Sequence, residues 1–259
     1  MAKWNLPPET PPSYLDLAAE VTDPSPKMSP ADFVLFCINT LLDMGLDIHR
    51  AIAVTANLMN ETNNGQSYRG NNLGGVKEFK GGPGVKWFRA PGNRAPGATI
   101  AGHEGATVTD LRGGDPPWCY YKVYESPKQF IERWPGAYVP KDGKPGGRYT
   151  KTGKAFWSDD PAIFETWFLE LCLAGYKGRR RQTVEGAQPS IDDHKQRVEL
   201  ARVYFTQSRL GVTVDGLWGR KSREACLGFQ AARGLAETGL PDKQTITALV
   251  TVPLKSHGT

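Results

Sequence analysis

Long apolar runs are missing from this chain of 259 residues. Its most apolar stretch, FVLFCINTLLDMGL (residues 33–46), has polar breaks and is too short to span a bilayer. Membrane insertion is therefore not expected. The N-terminus, MAKWNLPPETPPSYLD, has no apolar core of the kind that makes a secretory signal. On that reading, action outside the cytoplasm needs another route out. No CxxC occurs, and the four cysteines (Cys37, Cys119, Cys172 and Cys226) are scattered, which favours buried free thiols over a disulfide framework. The four histidines form no HExxH or other metal spacing, so neither a metal nor a cofactor is expected. Net charge is +5 with a pI of about 9.0, but basic stripes interleaved with aromatics are absent. The one basic cluster, YKGRRRQ, is short. Nucleic acid is not an expected partner; an anionic polymer such as a bacterial cell wall fits the charge equally well. No internal repeat stands out.

What is present divides the chain into four parts. Residues 1–27 are rich in proline and read as an extended arm. A first domain spans 28–178. It opens with Ser29-Pro30, a helix cap followed by proline at the first helical position, and continues as a hairpin of two helices. Glycine and proline are then dense to about Pro117, with short β-like runs in GVKWFRA, ATVTDL and WCYYKVY. SPKQFIERW starts another helix, Pro135–Gly153 reads as a loop, and DDPAIFETWFLELCLAGYKG reads as one amphipathic helix with Ile163, Trp167 and Leu171 on its stripe. Residues 179–190 are charged and aperiodic, a linker. Residues 191–259 hold three helix-like stretches with a core drawn from Val198, Ala201, Val203, Leu210, Ala225, Phe229, Ile246 and Leu249.

The helix DIHRAIAVTANLMN finishes in an unusual way, with Glu61 just before Asn63-Asn64-Gly65. Val54, Leu58 and Glu61 are spaced four and three apart and so share a face; if the first two point into a core, the carboxylate does too. This helix resembles the one that carries the catalytic Glu in N-acetylglucosaminidases of flagellar muramidase-type proteins and bacterial autolysins. NNLGGVK (71–77) is similar to that family's Asn-Asn-Leu-Phe-Gly-Ile-Lys, with Gly74 where the family usually has Phe. YYKVYESPKQFIE and ETWFLELCLAGYKG resemble its later strand–helix and closing helix, so the likeness covers about residues 31–178.

The resemblance implies a lysozyme-like fold and glycan cleavage. Breaking a glycosidic bond needs a carboxylic acid still protonated near neutral pH, and partial burial and a helix C-terminus both favour that form. Glu61 is thus the expected general acid. The family takes a second carboxylate from a mobile β-lobe, for which Glu104 is the candidate, with Asp110 and Asp115 as alternatives. Without a second acid, a transglycosylase becomes the better reading. Tyr121 and Tyr124 are candidates for stacking on sugar rings, and Asn72 for touching substrate, although a packed strand and a shaped loop would look the same.

At the C-terminus, VTVDGLWGRKSREACLGFQAARGLAETGLPDKQTITAL resembles the three-helix peptidoglycan-binding module of bacterial hydrolases and phage lysins. Asp215-Gly216 supplies a tight turn, Gly219 lets the backbone enter a helix, Phe229 is the expected core anchor, and TGLPD repeats the turn logic. The resemblance offers Asp215, Gly216, Leu217, Trp218 and Gln230 as wall-binding residues. The chain is therefore expected to be mostly α: an α+β lysozyme-like catalytic domain with a small β-lobe, followed by a three-helix peptidoglycan-binding domain. The expected function is that of a monomeric endolysin with bacterial peptidoglycan as its partner. It would collect in the host cytoplasm and cut wall glycan once the membrane is permeabilised. N-acetylglucosaminidase is the first reading; muramidase, lytic transglycosylase and a non-catalytic wall-binding protein are the alternatives.

Overall fold

The structure, a computed structural model, describes residues 28–68, 71–74, 87–91, 118–122, 124–141, 149–175 and 183–252. Among these are nine helices and one two-stranded antiparallel sheet, so the described part of the chain is mostly helical, as the sequence pattern implies. None of the described helices is long and apolar enough to cross a membrane. Contacts divide the chain into two compact units. One lies within Tyr68–Ile191, and the other joins Lys27–Ser67 to Asp192–Thr259.

The second of these units begins with a helical hairpin. Helix α1 (Pro30–Asp43) starts at Ser29, whose hydroxyl accepts the Asp32 N–H at 3.1 Å, with Pro30 at the first position. Phe33, Val34, Cys37, Ile38 and Leu41 form its buried stripe. Gly45, at φ +84°, turns the chain, and Asp47 then caps α2 (Ile48–Thr62) by accepting the His49 and Arg50 N–H groups at 3.0 Å each. Every residue of α2 from Ala51 to Met59 is buried, which makes it a central helix rather than a surface one. The hairpin packs on itself, and the last helix of the chain, α9 (Lys243–Val250), packs against α2.

Helices α7 (Val184–Leu210) and α8 (Arg220–Ala232) precede α9, and the boundary between the two units falls inside α7. The stretch expected as a linker is therefore helical from Val184 onward. Thr183 starts it: its hydroxyl accepts the Gly186 N–H at 3.1 Å, so an aperiodic sequence is capped into helix. Of the expected core residues, Ala201, Ile246 and Leu249 are buried, joined by Tyr204, Phe205 and Cys226. Val198, Val203, Leu210, Ala225 and Phe229 are only half-buried. Phe229 is not the core anchor; the Arg233 guanidinium lies over its ring at 5.5 Å, and its neighbour Gln230 is the fully buried side chain.

In the other unit, β1 (Trp87–Pro91) and β2 (Trp118–Lys122) pair antiparallel with Phe88 opposite Tyr121. Helix α3 (Pro127–Tyr138) starts at Ser126, whose hydroxyl accepts the Gln129 N–H at 3.1 Å. The expected loop to Gly153 is partly helical, because α3 runs to Tyr138 and α4 (Thr150–Phe156) begins before it ends. Gly153 permits this: a Cβ there would stand 2.2 Å from the Pro140 carbonyl oxygen. The expected single amphipathic helix is broken into α5 (Pro161–Phe164) and α6 (Trp167–Leu173). At the break the Thr166 hydroxyl bonds back to the Ile163 carbonyl at 2.7 Å, competing with the helical ladder. The stripe is lost with it: Trp167 and Leu171 are buried while Ile163 is 48% exposed.

Candidate functional site

Glu61 sits in the last turn of α2, half-buried, on the face that carries the fully buried Val54 and Leu58. The helix ends abruptly after it. Asn63, Asn64 and Gly65 all take positive φ, at 48°, 58° and 85°. Thr62 organises the stop: its hydroxyl donates to the Leu58 carbonyl at 2.8 Å and accepts the Gly65 N–H at 2.8 Å. Gly65 has no substitute here, since a Cβ would lie 2.4 Å from Cγ of Phe33 in α1. The carboxylate is thus held at a helix end whose exit is fixed by three left-handed residues and by α1. These features all belong to one unit.

Asn72 and Tyr124 fall in the other unit and are both buried, at 4% and 6% exposure. Asn71, also at positive φ, donates its side-chain N–H to the Tyr124 carbonyl at 2.9 Å, closing this loop against the strand–helix junction. The Tyr124 ring meets Phe130 edge-on, with centroids 5.0 Å apart. Phe130 also explains Gly74. A Cβ at that position would stand 2.7 Å from Cζ of Phe130, so the space an aromatic would take is filled from α3. Tyr124 packs here as a core residue. Tyr121 is the fourth of the five residues of β2, opposite Phe88, but its side chain lies outside the described set. Glu104, Asp110 and Asp115 lie outside the described residues.

The C-terminal helices are joined by two turns built to one plan. Gln207, fully buried in α7, accepts the Gly216 N–H at 3.0 Å. Its side-chain nitrogen reaches Asp215 Oδ1 (2.8 Å), the Leu217 carbonyl (2.9 Å) and Ser222 Oγ (3.2 Å). Gln230, fully buried in α8, accepts the Gly239 N–H at 2.8 Å. Its nitrogen reaches Thr238 Oγ1 (2.9 Å), the Leu240 carbonyl (3.2 Å) and Thr245 Oγ1 (2.8 Å). The correspondence is residue by residue: Gln207, Gly211, Asp215, Gly216, Leu217 and Ser222 answer to Gln230, Gly234, Thr238, Gly239, Leu240 and Thr245. All four glycines have φ between 63° and 76°. The module is an internal repeat, which the sequence reading missed.

Within this repeat the predicted wall-binding residues divide by task. Asp215 accepts the Leu217 N–H at 2.9 Å and a bond from Gln207, and these hold its carboxyl below the usual carboxylate range. Gly216 passes over Tyr204 so closely that a Cβ would lie 2.8 Å from its ring. Trp218 donates its indole N–H to the Gly239 carbonyl at 3.0 Å, tying the first turn to the second. Gln230 is the buried organiser of the second turn. Leu217 points outward, 71% exposed, and its counterpart Leu240 is 53% exposed. Sequence reasoning overlooked Gln207, Thr238 and Leu240. The signal was the Gln-to-Gly-to-Leu spacing, identical in both halves.

Cys37, Cys172 and Cys226 behave as expected of free cysteines, all buried and unbridged, while the Cys119 side chain lies outside the described set. Burial, with the Asp242 charge nearby, pushes the Cys226 thiol up to about 11, where it is inert as a nucleophile at neutral pH.

Residues 197–249 match the putative peptidoglycan binding domain family. The match begins in α7 and ends in α9, so it takes in both repeat turns. The match supports a peptidoglycan-binding module in this part of the chain. No curated protein and no solved structure matches the chain.

Proposed function

We propose that the protein cleaves the glycan strand of bacterial peptidoglycan, with Glu61 as the general acid and the 197–249 module holding the wall. The observation that carries this reading is the placement of Glu61. It is a half-buried carboxylate at a helix end, on a core-facing stripe, in the same compact unit as a peptidoglycan-binding module. A carboxyl group in such a position can deliver a proton to a leaving glycosidic oxygen, provided substrate seats over it. The sequence resemblance of residues 31–178 favours an N-acetylglucosaminidase. A muramidase or a lytic transglycosylase would use the same glutamate on the neighbouring bond.

Digestion of purified peptidoglycan, with the new ends identified by mass spectrometry before and after borohydride reduction, tests the proposal. Reducible N-acetylglucosamine ends are expected. Reducible N-acetylmuramic acid ends would mean a muramidase, and anhydro ends a transglycosylase. The absence of any new ends would sink the hydrolase reading and leave wall binding as the function.

A further inference from the structure

A wall-binding module on a hydrolase is ordinarily a tether, which raises local concentration and leaves the chemistry to a separate domain. The contacts around α2 describe something else. Residues of the peptidoglycan-binding module hold this helix at both ends. At its C-terminal end, Arg197 Nη1 donates to Asn64 Oδ1 at 2.6 Å, and Asn64 is the second left-handed residue of the turn that follows Glu61. Arg197 is itself steadied by Asp193, 3.4 Å from its Nε. At the N-terminal end, His49 Nε2 lies 3.0 Å from Thr247 Oγ1 in α9. The Thr247 hydroxyl already donates to the Lys243 carbonyl at 2.8 Å, so the imidazole is the donor in that pair. Arg197 and Thr247 both fall within the matched 197–249 segment.

A non-glycine residue at φ 58° needs its surroundings to hold it there. The Asn64 backbone N–H is committed to the Met59 carbonyl at 2.8 Å, and its side chain to Arg197. The turn fixes where α2 stops, and Glu61 lies in that last turn. We propose that Arg197 is a positioning residue for Glu61, and that the peptidoglycan-binding module is a fixed part of the scaffold presenting the acid rather than a tether alone. The proposal rests on the glycosidase reading.

The test uses the full chain and soluble glycan oligomers, on which a tether confers no advantage. Arg197→Met removes the donor. Asn64→Gly removes the acceptor yet keeps a residue that adopts positive φ readily, so the turn still forms. Each variant is expected to lower kcat about ten- to a hundredfold with KM changed little, since a displaced acid costs the chemical step rather than binding. The double variant should be no worse than either single one, Arg197→Lys should recover part of the rate, and wall pelleting should be unchanged in all of them. Unchanged kcat in Arg197→Met and Asn64→Gly, beside an active parent, would overturn this proposal alone. A parent chain with no turnover would overturn the glycosidase reading and this proposal together.

Discussion

The two units of the molecule are stabilised in different ways. The described core of the Tyr68–Ile191 unit is aromatic. Trp134, Tyr138, Phe156 and Trp167 meet ring to ring, with Trp167 edge-on to Trp134 at 6.2 Å and to Phe156 at 5.3 Å. The other unit buries aliphatic side chains around α2 and adds amides and hydroxyls, above all Gln207 and Gln230, each satisfying a turn from inside. Aromatic burial is strong, and the edge-on geometry of a ring pair adds only about 0.5–1.5 kcal/mol beyond it. A buried amide is worth little on balance when bonded, and its loss is costly because the groups it served stay buried without partners. One unit is therefore set by volume, the other by hydrogen-bond geometry.

That contrast can be broken from either side. The largest stability loss is expected for Trp167→Ala, which empties the meeting point of three aromatic contacts at a cost of about 4 kcal/mol; denaturant unfolding would measure it. Gln230→Leu keeps the volume but strands the buried Gly239 N–H and takes the amide donor away from Thr238 and Thr245, and should cost about 3 kcal/mol. Gln207→Leu should do the same to the first turn, and a much smaller loss there would show that the two halves of the repeat are not equivalent. Gly65→Ala forces a Cβ against Phe33 at a left-handed position, for about 2 kcal/mol, seen as a lower thermal midpoint.

Acid gives the smallest and most selective effect. Burial raises the Asp242 carboxyl, but bonds from Thr245, Thr238 and Gln244 outweigh it and leave it below the ordinary value; Asp215 is lowered by Leu217 and Gln207. Groups lowered on folding contribute stability above the unfolded carboxylate pKa of about 4, and that contribution is lost as pH falls through their folded values. His49 is lowered too, first by burial and then by the charges of Arg202, Lys243 and Arg50, against the raising influence of Asp47. An imidazole kept neutral by folding makes stability fall once pH drops below about 6.5, where the unfolded chain takes up the proton. All three groups lie in the same unit. Hydrogen exchange, corrected for intrinsic rates, should therefore show residues 192–252 losing protection before residues 149–175 do, first as pH falls below about 6.5 through His49 and further below about pH 4 through Asp215 and Asp242.

Much of this architecture was legible in local sequence. Ser29-Pro30 and Ser126-Pro127 mark helix starts because cap and first position are chemical requirements that no distant contact overrides. The face shared by Val54, Leu58 and Glu61 followed from periodicity. What escaped depended on partners far along the chain. Gly74 looked like a departure from a motif until Phe130 was found in the space above it. Phe229 looked like a core anchor, yet the residue beside it is the one buried, because a turn eight residues further on needs an amide. The repeat was hidden because Asp215 and Thr238, like Ser222 and Thr245, do equivalent work with different side chains. The grouping of the first two helices with the last three is a matter of packing alone, and no local pattern encodes it.

The most direct measurement is a side-by-side assay of wild-type protein and Glu61→Gln on purified cell walls, following turbidity for clearing and sedimentation for binding. The account predicts that Glu61→Gln pellets with walls as well as the wild type does and never clears them. Clearing by Glu61→Gln at the wild-type rate would contradict it, and would take the catalytic role away from the end of α2.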